Sequence, residues 1–213
     1  MKIPLRELEE ARRNPDAYLK KRRNSTGFNF NPKSKYRTLV RSVHTFHRNG
    51  NDSNVAQDYL EENFAKQFKD QKQLAQYIEK LGQYVSDFKN TGATVFRVKD
   101  ILVIPLNTEF KEAGFYISGE IPRLDITPDG YTAWLFSNKP IEWEDEIRLP
   151  LIQSAYAEIL KVEEQEVKVN IYDFLANEHT SFQFSKNKLT DAKNELQKIL
   201  TLIQTLEKDN KQN

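Results

Sequence analysis

One short stretch of the sequence has residue types and spacing suited to metal-dependent chemistry. It runs Gly119-Glu-Ile-Pro-Arg-Leu-Asp125, so an acid stands near the end of a strand-like segment. The turn Thr127-Pro-Asp-Gly130 follows, and a second strand-like segment returns at 131–136. Carboxylates on adjacent strands bind hard cations such as Mg²⁺, and a nearby lysine can polarise a water molecule or a phosphate. The stretch therefore predicts a Mg²⁺ site with Asp125 as a ligand.

Signatures of several other chemistries are absent from the sequence. The chain has no cysteine, which excludes disulfides, thiolate nucleophiles, cysteine-type zinc sites and cysteine-held iron–sulfur clusters. It also has no GxSxG motif, no glycine-rich phosphate loop and no dinucleotide fingerprint. His44 and His47 lie three residues apart on a predicted helix, but two ligands alone do not make a zinc site. Serine hydrolases, P-loop NTPases and Rossmann dehydrogenases are disfavoured.

The elements that must position Asp125 follow from hydrophobic periodicity. Apolar residues at spacings of three and four predict helices at 4–22 with an interruption at Asn14-Pro15, at 35–48, at 54–89 with a break near Asp70, at 146–161 and at 188–208. Alternating and β-branched runs predict strands at 94–98, 101–104, 115–121, 123–126, 131–136, 167–174 and 180–184. This order predicts one α/β core with an N-terminal helical cap.

Charge is unevenly distributed along the chain. Residues 1–50 carry a net charge of +9, whereas the whole chain of 213 residues carries +1. We therefore predict a basic helical arm at 1–53 and an α/β core at 54–213. A basic arm suits a protein that approaches a polyanion. The alternative is that these cations form a solvated face or neutralise acids on the body of the protein.

The order of these features resembles the RecB-like branch of the PD-(D/E)XK nuclease superfamily, which includes CRISPR-associated exonucleases and the nuclease domain of recombination helicases. The resemblance runs from about Asp58 to Ile203 and includes the G-x-x-x-R-x-D strand, the D-G-Y turn and a helix bearing Gln153 and Tyr156. It implies a restriction-endonuclease-like central mixed β-sheet flanked by helices, with Mg²⁺ as a cofactor held by Asp125. Because the four cysteines of the cluster-bearing members are missing, it implies a cluster-free relative without an iron–sulfur cluster.

The second motif departs from the family pattern. The family's acid and lysine would fall at Leu135 and Ser137, and neither residue can serve. A shifted register gives Ser137 and Lys139, which retains a lysine but still lacks the carboxylate. The resemblance thus implies Asp125 and Lys139 as catalytic residues of a degraded site.

Two further departures concern the helices. Gln153 and Tyr156 are three residues apart, where the family usually has four. Further acids could complete the site only if one has migrated, and the nearest are Glu142, Glu144 and Glu146 at the predicted start of the following helix. Glu61 or Glu62 could stand where the family often has another ligand, although a solvated helix face explains such residues as well.

These observations favour a catalytically degenerate nuclease-fold protein that binds DNA, RNA or a nucleoprotein partner. The predicted nucleic-acid contacts are Arg12, Arg13, Arg22, Arg23, Arg37 and Arg41 on the arm, and Arg123, Arg148, Gln153 and Tyr156 near the cleft, with Phe28, Phe30 and Tyr36 available for base stacking. One alternative is an active Mg²⁺-dependent DNA nuclease with a migrated acid, and another is a structural subunit of a larger complex. The longest apolar run, 101–106, is too short for a membrane span, so we expect a cytoplasmic protein.

Overall fold

The architecture is a six-stranded mixed β-sheet flanked by helices. The computed structural model describes residues 1–24, 34–89, 93–138 and 145–212. Lys139, Phe28, Phe30, Glu142 and Glu144 lie outside these ranges. The strands are β1 (Lys2–Pro4), β2 (Thr94–Val103), β3 (Tyr116–Thr127), β4 (Gly130–Ser137), β5 (Val167–Asp173) and β6 (Glu178–Phe182). The helices are α1 (Leu8–Arg13), α2 (Pro15–Asn24), α3 (Lys35–Arg48), α4 (Ser53–Gln67), α5 (Gln71–Phe88), α6 (Thr108–Glu112), α7 (Arg148–Leu160) and α8 (Lys186–Gln212).

The long strand β3 organises the sheet. At Ser118 it pairs with both β1 and β2, and at Asp125 it pairs with both β2 and β4. Strands β1 and β4 therefore share one edge of β3, while antiparallel β2 occupies the other edge. The crossover through α7 makes β5 parallel to β4, and β6 returns antiparallel to β5. Asp125 consequently lies in the interior of the sheet, with a neighbouring strand on each side.

Hydrophobic cores lie on both faces of the sheet. Successive residues of β4 alternate between them, since Ala133 and Leu135 belong to one core and Trp134 to the other. Helices α7 and α8 cover the first face, which we call the α7/α8 face. Helices α3, α4 and α5 cover the second, which we call the α3/α5 face. The predicted mixed α/β class is thus correct at the level of a helix-flanked mixed sheet.

The described residues of the 1–53 segment pack against the rest of the chain. Strand β1 joins the sheet beside β3, and Leu8, Ala11 and Leu19 are buried in the core of the α7/α8 face. Helix α3 instead contributes to the core of the α3/α5 face together with α4. The predicted boundary between 1–53 and 54–213 therefore separates elements that pack against each other. The apolar residues of the basic segment bind it to the body despite its charge.

Two helix and strand predictions have specific outcomes. The predicted break near Asp70 is confirmed, because α4 ends at Gln67 and the Asp70 carboxylate caps α5 by accepting from the Gln73 N–H at 3.0 Å. The predicted strand pairs 94–98 with 101–104, and 115–121 with 123–126, are instead two continuous strands, β2 and β3. The interruptions read from the sequence fall where Lys99 lies opposite Pro122, and Lys99 takes a left-handed φ of 59° there.

Candidate functional site

A buried polar cluster lies between β3 and the helices of the α3/α5 face. Arg123 and Asp125 are two residues apart on β3, so both side chains project to the same face. The register pairs Arg123 with Trp134 of β4, which places the indole beside them. Tyr84 of α5 and His47 of α3 close the cluster from the helical side. We call these five residues the Arg123 cluster.

The Asp125 carboxylate is fully engaged within the chain. Its Oδ1 accepts from Arg123 Nε at 2.6 Å, and its Oδ2 accepts from Arg123 Nη2 at 2.5 Å. Trp134 Nε1 donates to Oδ2 as well, at 2.9 Å. The two charged side chains are 2% and 1% exposed. This is a bidentate, desolvated ion pair, the strongest geometry available to an arginine and a carboxylate.

The remaining nitrogen of the guanidinium connects the sheet to both helices. Arg123 Nη1 donates to the Tyr84 hydroxyl at 2.9 Å and lies 3.1 Å from His47 Nε2. Because a guanidinium can only donate, Nε2 must be the acceptor, and the proton of a neutral imidazole then sits on Nδ1. His47 Nδ1 accordingly donates to Asn51 Oδ1 at 2.9 Å. The guanidinium carbon also lies 4.5 Å from the centre of the Phe88 ring, within range of a cation–π contact.

Burial sets the protonation states of the Arg123 cluster. It raises the pKa of the Asp125 carboxyl, while the hydrogen bonds and charge of Arg123 and the bond from Trp134 oppose that rise. Burial, followed by the positive charge of Arg123, lowers the pKa of His47 to about 3. Burial also raises the pKa of the Tyr84 hydroxyl. The cluster therefore contains one ion pair surrounded by neutral hydrogen-bonding groups.

This geometry does not fit the predicted Mg²⁺ site. A bound cation needs accessible oxygen ligands, and both Asp125 oxygens already accept hydrogen bonds from Arg123 and Trp134. Leu135, where the second acid was sought, belongs to the core of the α7/α8 face and so points away from Asp125. Within the described ranges, no group of three or more His, Asp or Glu side chains could hold a metal ion. Asp125 is thus the counterion of Arg123 rather than an open ligand.

Gln153 and Tyr156 have internal roles in place of the predicted contacts with nucleic acid. Gln153 is fully buried, accepts from the Phe184 N–H at 2.8 Å and donates to the Glu164 carbonyl at 2.9 Å. Tyr156 is also buried and donates to Asp100 Oδ2 at 3.0 Å. Both belong to α7, on the sheet face opposite Asp125. A sequence motif on this helix could not reveal that the polar groups of Gln153 and Tyr156 are bonded within the chain.

Several predicted basic contacts are paired with acids of the chain itself. Arg12 contacts Glu9 and Glu195 at 3.0 and 3.4 Å, and Arg22 contacts Glu7 at 3.2 Å. Other internal pairs join Lys20 to Asp16, Lys21 to Glu10, Lys35 to Asp70 and Arg148 to Glu146. Arg123 is buried in its cluster. The pairs Arg12–Glu195 and Lys35–Asp70 join the basic segment to acids of the body, whereas the pairs of Arg22, Lys20 and Lys21 lie within residues 1–53.

The other candidates have different surroundings. Arg13 and Arg23 are exposed on α1 and α2, and Arg37 and Arg41 lie on α3. The Tyr36 ring packs against Phe174, at 6.2 Å between ring centres, rather than facing outward for stacking. Glu62 is exposed and paired with Lys66 at 2.7 Å, as expected for a solvated helix face.

A basic surface formed by α3 and β2 was only partly predicted. Helix α3 contains no Asp or Glu and packs against β2, which brings Lys99 near its C-terminal half. Arg41, Arg48 and Lys99 make no ion pair with any described residue, and we call these three residues the α3 basic surface. The spacing of Arg41, His44 and Arg48 could have indicated one helix face, whereas Lys99 joins only through the tertiary contact.

The α3 basic surface acts on a histidine beneath it. His44 is 4% exposed, and burial lowers its pKa to about 4, with further lowering by the charges of Arg48, Lys99 and Arg41. Three positive charges thus act on this imidazole, an arrangement that is suitable for binding an anion.

Comparisons with known proteins add little to this geometry. No family model matches the chain, and no curated protein matches it. Among solved structures, the chain is similar to the protein described as "Crystal structure of SSO0001", with 10% sequence identity and a TM-score of 0.35 over 92% of this chain and 85% of that one. None of the described helices is both long and apolar enough to span a bilayer.

Proposed function

We propose that this protein binds nucleic acid, alone or within a nucleoprotein complex, and that its sheet is a catalytically degenerate version of the nuclease scaffold it resembles. The observation that carries the binding function is the α3 basic surface, where three cations converge without an acid partner among the described residues. In this proposal the core has a restriction-endonuclease-like fold, and nucleic-acid binding is the activity that it retains.

The Arg123 cluster supports the loss of catalysis. A hydrolytic Mg²⁺ site polarises phosphate oxygens through an open coordination sphere. Here the Asp125 carboxylate is desolvated and neutralised by a guanidinium that also bonds to Tyr84. Separating this pair to admit a cation would leave a buried arginine without its counterion, which is energetically costly.

The length and the charges of α3 favour nucleic acid as the anion. A helix of 14 residues is about 21 Å long, enough to follow several phosphates at 3.4 Å of rise per nucleotide. The α3 basic surface therefore offers phosphate contacts along one helix, with Lys99 adding a cation from β2.

Salt dependence provides the first test. We expect labelled 20-mer DNA and RNA, single- and double-stranded, to bind the wild-type protein without Mg²⁺ at 50 mM salt. Three phosphate contacts should give a slope of log K against log salt of about −2 for single strands and about −3 for duplexes. In the R41A/R48A/K99A variant, binding should weaken at least tenfold and the slope should approach zero. Fluorescence anisotropy measures both quantities.

The matched control removes three lysines that are exposed and ion-paired elsewhere, in the variant K20A/K66A/K193A. It changes the net charge by the same amount, and loss of exposed ion pairs costs little stability. We expect this control to bind like wild type. Absence of binding at low salt would refute the proposed function. Cleavage that requires Mg²⁺ and stops with EDTA would support the active-nuclease alternative instead.

A further inference from the structure

His44 carries a buried polar atom without a partner. Its side chain is 4% exposed, and its Nε2 has no hydrogen-bond partner among the described residues. Buried polar atoms are nearly always hydrogen-bonded, because leaving one unpaired costs its desolvation energy. A phenylalanine would fill a similar space without that cost. An imidazole at this position is therefore best explained by a partner from outside the described residues.

The charges that face His44 indicate what that partner is. Arg41 lies one turn before it on α3 and Arg48 one turn after it, while Lys99 comes from β2. His47, on the same helix, also interacts electrostatically with His44 and is held neutral in the Arg123 cluster. A neutral imidazole can donate one hydrogen bond, and the three charges that act on it are positive. The complementary ligand is an anion with acceptor oxygens.

We propose that His44 and the α3 basic surface form a phosphate-binding subsite for the backbone of a nucleic acid, in which His44 Nε2 donates to a phosphate oxygen. This inference rests on the proposed function and assigns its central contact. The three cations hold the phosphate by charge, and the imidazole supplies a directed hydrogen bond. Because Nε2 is buried, binding requires a small rotation of the ring or of the surrounding side chains.

The subsite couples binding to proton uptake. A bound phosphate brings negative charge close to the imidazole and opposes the three cations that disfavour its protonation. The pKa of His44 therefore rises from about 4 when phosphate binds. Between the free and bound pKa values, affinity increases by up to tenfold for each unit by which the pH falls.

Nuclear magnetic resonance of the histidine rings tests the contact directly. The chain has three histidines, so the His44 signals can be assigned by their loss in H44F. We expect inorganic phosphate and decathymidylate each to shift the His44 signals and raise its pKa, with His179 unchanged. His44 signals and a His44 pKa that stay unchanged in saturating decathymidylate would overturn the subsite.

Two variants distinguish the hydrogen bond that His44 donates from the proton that it takes up. H44F should weaken binding of decathymidylate by about three- to tenfold at pH 6, and it should raise the Tm by about 2–4 °C because it removes the unpaired atom. H44Q keeps an amide donor that cannot take up a proton, so it should retain binding at pH 8 and lose the increase at lower pH. Equal binding and equal pH dependence in all three proteins would overturn the inference.

The failure of this inference can be distinguished from failure of the proposed function. If the wild-type protein binds decathymidylate while the His44 signals do not move, the binding function stands and the subsite is wrong. If inorganic phosphate shifts the His44 signals while no nucleic acid binds, the anion site stands and the proposed function is wrong.

Discussion

Replacing Asp125 with alanine is expected to destabilise the protein by about 3–5 kcal/mol, because it leaves the buried Arg123 guanidinium without a counterion. The side chain of Arg123 is 2% exposed, so water cannot replace the lost carboxylate without opening the core. Trp134 also loses the acceptor for its indole N–H. Urea denaturation should show the loss directly, and the Tm should fall by roughly 6–20 °C.

A double-mutant cycle isolates the ion pair from the other contacts. R123M should itself be destabilising, because Tyr84 and His47 lose a partner in addition to Asp125. The double variant R123M/D125A removes both charges and should be more stable than the sum of the single effects predicts, by about 2 kcal/mol or more. Additive effects would contradict a coupled pair. If D125A instead increases stability, an open metal ligand becomes the better description of Asp125, since removing a functional charge commonly stabilises a fold.

Acidification from pH 7 to pH 5 is expected to destabilise the protein by about 4 kcal/mol through its two buried histidines. The folded-state pKa values of His44 and His47 are about 4 and about 3, both below the ordinary value of 6.5. Depressed values mean that the unfolded chain binds more protons, so the stability present above pH 6.5 is lost as the pH falls. The pH range of this prediction ends at pH 5 because carboxyl groups, whose ordinary pKa values are lower, begin to contribute below it.

Urea titrations at half-unit steps of pH measure this slope. Near pH 5.5 the slope of the unfolding free energy against pH should correspond to the uptake of nearly two protons on unfolding. H44F should reduce that number to about one, with the remainder due to His47. An equal slope in wild type and H44F would show that His44 is not buried in its neutral form.

The sequence predicted the elements better than it predicted their relations. The alternation along β4 and the stripe of α8 are local patterns, and both elements formed where expected. The pairing of β1 with the sheet was missed because β1 has only three residues and because charge dominates this segment. A strand this short forms only because it pairs with another strand, and no local sequence pattern indicates which strand that is.

The candidate site shows the same limit more sharply. The sequence placed Arg123 and Asp125 on one predicted strand, but it could not show that the arginine neutralises the aspartate or that helices cover both. The family pattern puts its second acid at the position of Leu135. Only the strand register reveals that this position points away from Asp125. Lys99 became a candidate only through the packing of α3 on β2. Burial and strand register depend on tertiary structure, so residue spacing alone does not predict them.

The Arg123 guanidinium also has a consequence for the outer surface of the protein. Its contact with His47 acts together with the buried Leu39, Val43 and Phe46 to set the rotation of α3 about its own axis. Arg41 and Arg48 belong to the same rigid turns, so their outward direction is set from within the core. A substitution that breaks the contact between Arg123 and His47 should therefore rotate α3 and move Arg41 and Arg48 away from their shared ligand, even though no surface residue has changed.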